Sequence, residues 1–138
     1  MASETKFFKC GLLNIQSVRN KTTIIRELID EFGLDILVLT ETWLCHGVQD
    51  ESRINDMLPN THTFYHKPRE RKTGGGVGIF LSKQFSNVKV INRIPCETFE
   101  HLEIRFNYGN KVLVMVALYK PPWTNEAQFN EELTSYLD

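Results

Sequence analysis

Three polar residues stand where predicted strands end, and their types suit chemistry on a phosphate. Asn14 closes a first strand, Glu41 follows a buried run at 36–39, and Tyr119 closes a later strand. Open α/β sheets bind their ligands outside the carboxyl ends of the strands. If the three strands align, an amide, a carboxylate and a phenol converge at one rim. Such a set can bind a divalent cation and a phosphate oxygen.

Glu41 also has an ordinary structural interpretation. A carboxylate at a strand end can cap the next turn, and most surface carboxylates perform no chemistry. Trp43 and Trp123 likewise follow strand ends. Packing in the core or at the rim is the default for an indole, and stacking on a nucleic-acid base is the alternative.

Two further segments are candidates for phosphate contacts. The cluster at 74–78 contains four glycines, but it lacks the Lys and Ser/Thr of a P-loop and the spacing GxGxxG. A turn at which two backbones approach closely is the favoured interpretation. Between this cluster and the preceding strand lie Lys67, Arg69, Arg71 and Lys72. We predict that Arg71 and Lys72 contact nucleic acid, with a solvated basic loop as the alternative.

Composition and charge restrict the class of protein. The chain has 138 residues, of which 41% are hydrophobic and 24% charged, so we expect one globular domain spanning 1–138. The net charge of −1 gives no overall attraction to a polyanion. The four histidines show no HExxH or other metal-ligand spacing. Nucleic acid must therefore be bound through a local patch or a metal.

The cysteines and the N-terminus predict where the protein resides. Cys10, Cys45 and Cys96 are odd in number and widely spaced, which fits a reducing compartment. Residues 1–9 contain no signal peptide, and the longest apolar run, 112–118, is too short to span a bilayer. We expect an intracellular protein of the nucleus or cytoplasm, not secreted and without a membrane partner.

The first third of the chain has the pattern of a βαβ unit. Residues 7–15 predict a strand, and apolar residues at 24, 25, 28, 29 and 32 predict one face of a helix. Gly33 is typical of a helix end. The apolar run at 36–39 predicts a strand buried on both faces. Two strands with an intervening helix imply parallel pairing through a right-handed crossover.

The remainder predicts mainly antiparallel strands. Residues 45–60 read as a long loop, with a helical turn near 54–58. Strands are expected at 61–66, 74–81, 87–94 and 101–108. Gly109-Asn110 is a tight hairpin signal leading into a strand at 111–119, which we expect to be central and buried. Asn125 can cap a last helix, with Gln128 as its partner in a capping box.

Four motifs in this order resemble the endonuclease/exonuclease/phosphatase family, most closely the apurinic-endonuclease-like domain of non-LTR (LINE-type) retrotransposons. They are residues 13–17 (LNIQS), 34–44 (LDILVLTETWL), 75–81 (GGVGIFL) and 119–122 (YKPP). The resemblance implies a DNase I-like four-layer α/β sandwich and cleavage of DNA phosphodiesters that depends on Mg²⁺ or Mn²⁺. It makes Glu41 the metal-binding Glu, and Asn14 and Tyr119 the catalytic Asn and Tyr. Glu100 resembles a recurrent Glu of the family, without an assigned role.

The chain departs from the family pattern in two respects. Gln16 stands where some branches carry an acidic residue. The resemblance covers the first half of the family domain, and the later Asp-x-Asn and terminal Asp-His motifs have no match. We therefore expect an incomplete domain that binds metal weakly and is inactive alone. We also expect one uncovered sheet face, available for self-association or a protein partner.

Three functions are thus open. The first is an endonuclease-like domain acting on DNA. The second is a non-catalytic remnant of such a domain that binds protein or nucleic acid. The third, less favoured, is a phosphomonoesterase on the same fold.

Overall fold

The computed structural model describes residues 7–69 and 74–138. Seven strands and three helices occur in these ranges. In chain order they are β1 (Cys10–Asn14), α1 (Thr22–Phe32), β2 (Ile36–Thr40), α2 (Val48–Met57), β3 (His62–Lys67), β4 (Val77–Ser82), β5 (Ser86–Ile91), β6 (Glu100–Tyr108), β7 (Lys111–Tyr119) and α3 (Glu126–Leu137).

The first sheet has the strand order β1-β2-β4-β3. Strands β1 and β2 are parallel and joined by α1, which confirms the βαβ unit. Gly33 ends α1 in the left-handed conformation, φ 60°, as expected of a helix-terminating glycine. All five residues of β2 are buried, because this strand lies between β1 and β4 with packed layers on both faces.

The second sheet consists of β5, β6 and β7, all antiparallel. The Gly109-Asn110 turn joins β6 to β7 and confirms the predicted hairpin. A two-residue loop fixes the pairing register of the strands that it connects. The register continues without a shift from Tyr108 opposite Lys111 to Glu100 opposite Tyr119.

The two sheets pack face to face, α1 and α2 cover the outer face of the first sheet, and α3 packs on part of the outer face of the second. Side chains of β2 and β4 meet those of β6 and β7 in one buried cluster, with Ile79, Ile104 and Phe106 at its centre. A second cluster lies between the first sheet and α1, where Ile25 and Ile29 are buried. The architecture is helix, sheet, sheet, helix. This confirms the predicted four-layer class.

The expectation of one uncovered sheet face was wrong for the inner face of the first sheet, because β5–β7 cover it. Each sheet has two edge strands with no further described strand beside them, β1 and β3 in the first sheet and β5 and β7 in the second. Leu12 on β1 and Val112 and Val114 on β7 are exposed. The prediction of a buried central strand at 111–119 was therefore wrong in position: its apolar run packs on one face only.

A second correction concerns residues 45–60, where α2 replaces most of the predicted loop. Its sequence is polar, and tertiary contacts stabilise it instead. Met57 is fully buried, and Asp50 accepts a hydrogen bond of 2.6 Å from the Cys45 backbone N–H. No helix within the described ranges is long and apolar enough to cross a membrane.

Helix α3 is attached to the outer face of the second sheet by polar contacts. The Asn125 side chain caps it, accepting from the Gln128 backbone N–H at 2.9 Å, which confirms the predicted cap. The Gln128 side chain donates a hydrogen bond to the Glu97 carboxylate and does not complete the predicted capping box. Buried Glu103 accepts 2.7 Å hydrogen bonds from the Tyr136 hydroxyl and from Arg93 Nε.

Burial by itself raises the pKa of Glu103, but the hydrogen bonds from Tyr136 and Arg93 more than offset this and hold the pKa below its ordinary value. Stabilisation from a carboxyl with a lowered pKa is present above the pKa of the unfolded chain. It is lost as the pH falls through the folded value.

We expect Tyr136→Phe to lower the free energy of unfolding at neutral pH by about 1–3 kcal/mol, since a hydrogen bond to a buried carboxylate is lost. This deficit in unfolding free energy should shrink as the pH falls through the lowered pKa of Glu103, because the carboxylate then becomes protonated. Urea denaturation across this pH range measures both effects. Leu137→Ala, at an exposed position of the same helix, is the control. A pH-independent deficit would contradict the assignment to Glu103.

Candidate active site

Asn14 and Glu41 lie at the same rim because β1 and β2 are parallel neighbours. Asn14 is opposite Thr40, and Glu41 follows immediately. The pairing continues past both strand ends: the Ile15 N–H donates to the Thr40 carbonyl at 3.0 Å, and the Ser17 N–H to the Glu41 carbonyl at 2.8 Å. Asn14 is exposed and Glu41 half-buried. The predicted convergence of these two residues is thus present in the fold.

The backbone at Glu41 is held in an unusual conformation. Glu41 has φ 54° and Trp43 φ 58°, the left-handed region that L-residues seldom occupy. This conformation costs about 1–2 kcal/mol per residue. It is fixed by hydrogen bonds from the Thr42 N–H to the Gly76 carbonyl, at 3.1 Å, and from the Trp43 N–H to the Gly75 carbonyl, at 2.7 Å. The direction of the Glu41 side chain is therefore set by the neighbouring glycine segment.

The glycines at 74–76 are required by close approach, as favoured from the sequence. Gly76 has φ 90°, and a Cβ there would lie 2.6 Å from Thr42 Oγ1. A Cβ on Gly75, at φ 63°, would overlap the Arg69 guanidinium. A side chain at either position would push the glycine segment away from Thr42 and Trp43. The phosphate-cradle alternative is not needed to explain this cluster.

Tyr119 reaches the same rim from the second sheet. Its hydroxyl lies near enough to the Glu41 carboxylate for the two groups to interact. Burial raises the pKa of Tyr119, and the charge and hydrogen bond of Glu41 raise it further, while Arg69 opposes the shift. The phenol therefore remains protonated, and a hydrogen-bond donor, throughout the physiological pH range.

Glu100 connects the two sheets at this rim, a role that sequence reasoning missed. Its carboxylate accepts from the Gly76 N–H at 2.6 Å and from Arg69 Nε at 3.0 Å and Nη2 at 2.6 Å. The sequence did contain a signal for the position of Glu100, in the strand register that the hairpin turn sets. Counting back from the two-residue Gly109-Asn110 turn places Glu100 directly opposite Tyr119.

A cavity of about 550 Å³ opens beside the Arg69–Glu100 pair. Its walls include Lys67, Phe99 and Trp123, and the Arg69 guanidinium carbon lies 5.5 Å from the Trp123 ring centroid. His101 also borders the cavity, but it is buried against α3, and burial followed by the charge of Lys67 lowers its pKa.

The metal-binding potential of this rim is limited. Within the described ranges, no three His, Cys, Asp or Glu side chains are grouped as a metal site. Glu41 and Asn14 offer one carboxylate and one amide oxygen. Mg²⁺ in proteins is commonly held by one or two carboxylates with several waters and a substrate phosphate, so this pair fits a weak Mg²⁺ site. Arg71 and Lys72, the predicted nucleic-acid contacts, lie outside the described residues.

The remaining histidines and cysteines lie apart from this arrangement. The His62 ring pairs with the Leu34 carbonyl at 2.8 Å. His46 and His66 approach each other, with ring centroids 6.0 Å apart. All three cysteines are free thiols.

Solved structures with similar folds identify the architecture. The chain superposes on the AP endonuclease LMAP of Leishmania major with a TM-score of 0.62 and 14% identity, over 94% of this chain and 44% of that one. It superposes on TDP2 of Caenorhabditis elegans with a TM-score of 0.51 and 17% identity, over 91% of this chain and 40% of that one. No family model and no curated protein sequence matches.

These comparisons establish the fold. The described residues form a mixed α/β structure with two sheets and three helices, and this structure shares the DNase I-like fold of these neighbours. The chain spans less than half the length of either neighbour.

Replacing Glu41 by Gln should lower the pKa of Tyr119, because the negative charge that raises this pKa is removed. Alkaline titration of tyrosinate absorbance measures the shift. Subtracting the curve of a Tyr119→Phe variant isolates Tyr119 from the other three tyrosines. Exposed Glu97→Gln is the matched control and should leave the titration unchanged. An identical Tyr119 curve in wild type and Glu41→Gln would show that the two side chains do not interact.

Proposed function

We propose that this chain is the N-terminal part of an endonuclease-like domain, whose complete form hydrolyses DNA phosphodiesters with Mg²⁺ or Mn²⁺. The observation that carries the proposal is that the Tyr119 hydroxyl lies near the Glu41 carboxylate, at a rim that Asn14 also reaches. A metal-binding carboxylate beside a protonated phenol is suited to a phosphate group. The fold shared with an AP endonuclease supports a nuclease-like domain.

Each residue at the rim has a proposed role. Glu41 would hold the cation, with the Asn14 amide as a neutral neighbour. When bound, the cation would polarise a phosphate oxygen. On turning from Glu41 to the substrate, the Tyr119 hydroxyl would donate its one proton to a phosphate oxygen, because its raised pKa keeps that proton in place at neutral pH. Glu100 and Arg69 are positioning residues that hold the glycine segment against Thr42 and Trp43.

The retrotransposon origin is part of the proposal. It is supported by the ordered motifs at 13–17, 34–44, 75–81 and 119–122. In a continuing chain we expect the Asp-x-Asn and Asp-His motifs that would complete the domain.

The second candidate function is binding without catalysis. It is favoured by the presence of only one uncommitted carboxylate among the described residues of the rim, and by the exposed Leu12, Val112 and Val114 on the edge strands β1 and β7. An exposed apolar edge is suited to another chain. In this case the chain would bind DNA, a protein or a second copy of itself.

Mg²⁺ should bind weakly and depend on Glu41. Isothermal titration of the wild type is expected to show a weak signal that Glu41→Ala abolishes, since no second described carboxylate at the rim is uncommitted. Asp30→Ala, at an exposed position on α1, is the control. Equal binding by wild type and Glu41→Ala would remove Glu41 from the metal site.

The isolated chain should not nick supercoiled plasmid at a detectable rate. Hydrolysis needs a group that activates water, and losing a general base costs about a hundredfold to ten-thousandfold. Losing a transition-state donor costs a similar factor. His62 is bonded to the Leu34 carbonyl and His101 packs against α3, so neither is available for this task. Nicking by the wild type that disappears in Glu41→Ala would contradict the prediction and demonstrate an active enzyme.

A further inference from the structure

Both tryptophans of the chain are exposed beside the candidate active site. Trp43 is 50% exposed and Trp123 is 63% exposed. Trp43 stands two residues after Glu41, and Trp123 four residues after Tyr119. Neither belongs to the two apolar cores. Both indoles therefore present apolar surface to solvent at the rim.

Both indoles lie near Arg69. A Cβ built on Gly74 would be 3.5 Å from Trp43 Nε1 and 3.7 Å from Arg69 Nη1, so these two groups lie beside the same glycine. The Arg69 guanidinium carbon also lies 5.5 Å from the Trp123 ring centroid. We call these three residues the Trp43–Arg69–Trp123 strip.

The strip is held in place by its surroundings. The Trp43 backbone has φ 58° and donates to the Gly75 carbonyl at 2.7 Å. Arg69 donates two hydrogen bonds to Glu100. A bulky residue in the left-handed region is strained, and such strain persists where the surrounding structure fixes it. Trp43 is therefore an exposed aromatic side chain on a fixed backbone.

The chemistry of the strip favours bases over phosphates. The charge of Arg69 is neutralised by Glu100, so the strip attracts a polyanion weakly. Its two indoles offer flat apolar faces, on which unpaired bases stack with about 1–3 kcal/mol per base. In a duplex the base faces are already stacked on one another. The cavity of about 550 Å³ beside Trp123 also provides room for an unpaired base.

We propose that the Trp43–Arg69–Trp123 strip binds unpaired bases of single-stranded nucleic acid beside the Glu41–Tyr119 rim. The inference deepens the proposed function, because it identifies single-stranded or locally unpaired DNA as the class of nucleic acid presented to that rim. Binding by the strip requires no metal.

The test uses the tryptophans as reporters, since the chain has only two. An oligothymidylate of about twelve nucleotides is titrated in EDTA, and quenching of indole fluorescence gives the dissociation constant. We expect saturable quenching by the single strand and none by a duplex of the same length. Trp43→Phe and Trp123→Phe each leave one reporter, and quenching should persist in both.

Affinity measured by anisotropy of a labelled oligothymidylate provides the second readout. Trp43→Ala and Trp123→Ala should each weaken binding about fivefold to more than a hundredfold, whereas each Phe variant retains most of the affinity. Exposed Val48→Ala is the control. Affinity should fall only slightly with salt, because few phosphates are neutralised. Far-ultraviolet circular dichroism verifies that each variant is folded.

Equal affinity for duplex and single strand would overturn the inference. So would unchanged affinity in both folded Ala variants, or loss of affinity in the Phe variants equal to that in the Ala variants. Glu41→Ala separates this inference from the proposed function. Metal-free binding should survive that substitution, while the Mg²⁺ signal should not.

Discussion

The rim depends on one carboxylate. Glu100 belongs to the second sheet, but it accepts hydrogen bonds from Arg69 at the end of β3 and from the Gly76 backbone before β4, both in the first sheet. Gly75 and Gly76 in turn accept from Trp43 and Thr42. A partly buried carboxylate that accepts hydrogen bonds from an arginine and a backbone N–H contributes strongly to the stability of the rim. Leaving any of these groups without a hydrogen bond would cost free energy. The position of Glu41 thus follows from a contact made by the opposite sheet.

This connection explains why strained residues are tolerated at the rim. Glu41 and Trp43 occupy left-handed conformations that their own sequence disfavours. The hydrogen bonds of the glycine segment compensate, and the segment itself can approach only because it lacks side chains. The result is a carboxylate aimed at Tyr119, next to exposed indoles. Strain of this kind clusters at functional sites.

The apolar core between the two sheets is covered on both sides, although the chain spans less than half the length of its structural neighbours. Consecutive strands β5–β7 form the second sheet, and their apolar faces close the core over β2 and β4. Each sheet keeps two edge strands among the described residues, and a few apolar side chains on them, such as Leu12 and Val112, stay exposed. The chemistry of the rim is similarly partial, since it has a carboxylate and a phenol but no grouped set of metal ligands among the described residues.

The sequence by itself determined the features that depend on local order: the βαβ unit, the helix end at Gly33, the hairpin at Gly109-Asn110 and the cap at Asn125. It also placed Asn14 and Glu41 at one rim, because parallel neighbouring strands end together. Tertiary structure decided the rest. The polar helix α2 forms because Met57 is buried, and β7 lies at an edge because strand order depends on long-range pairing. The Glu100 bridge joins residues 24 and 31 positions apart, a separation beyond any local pattern.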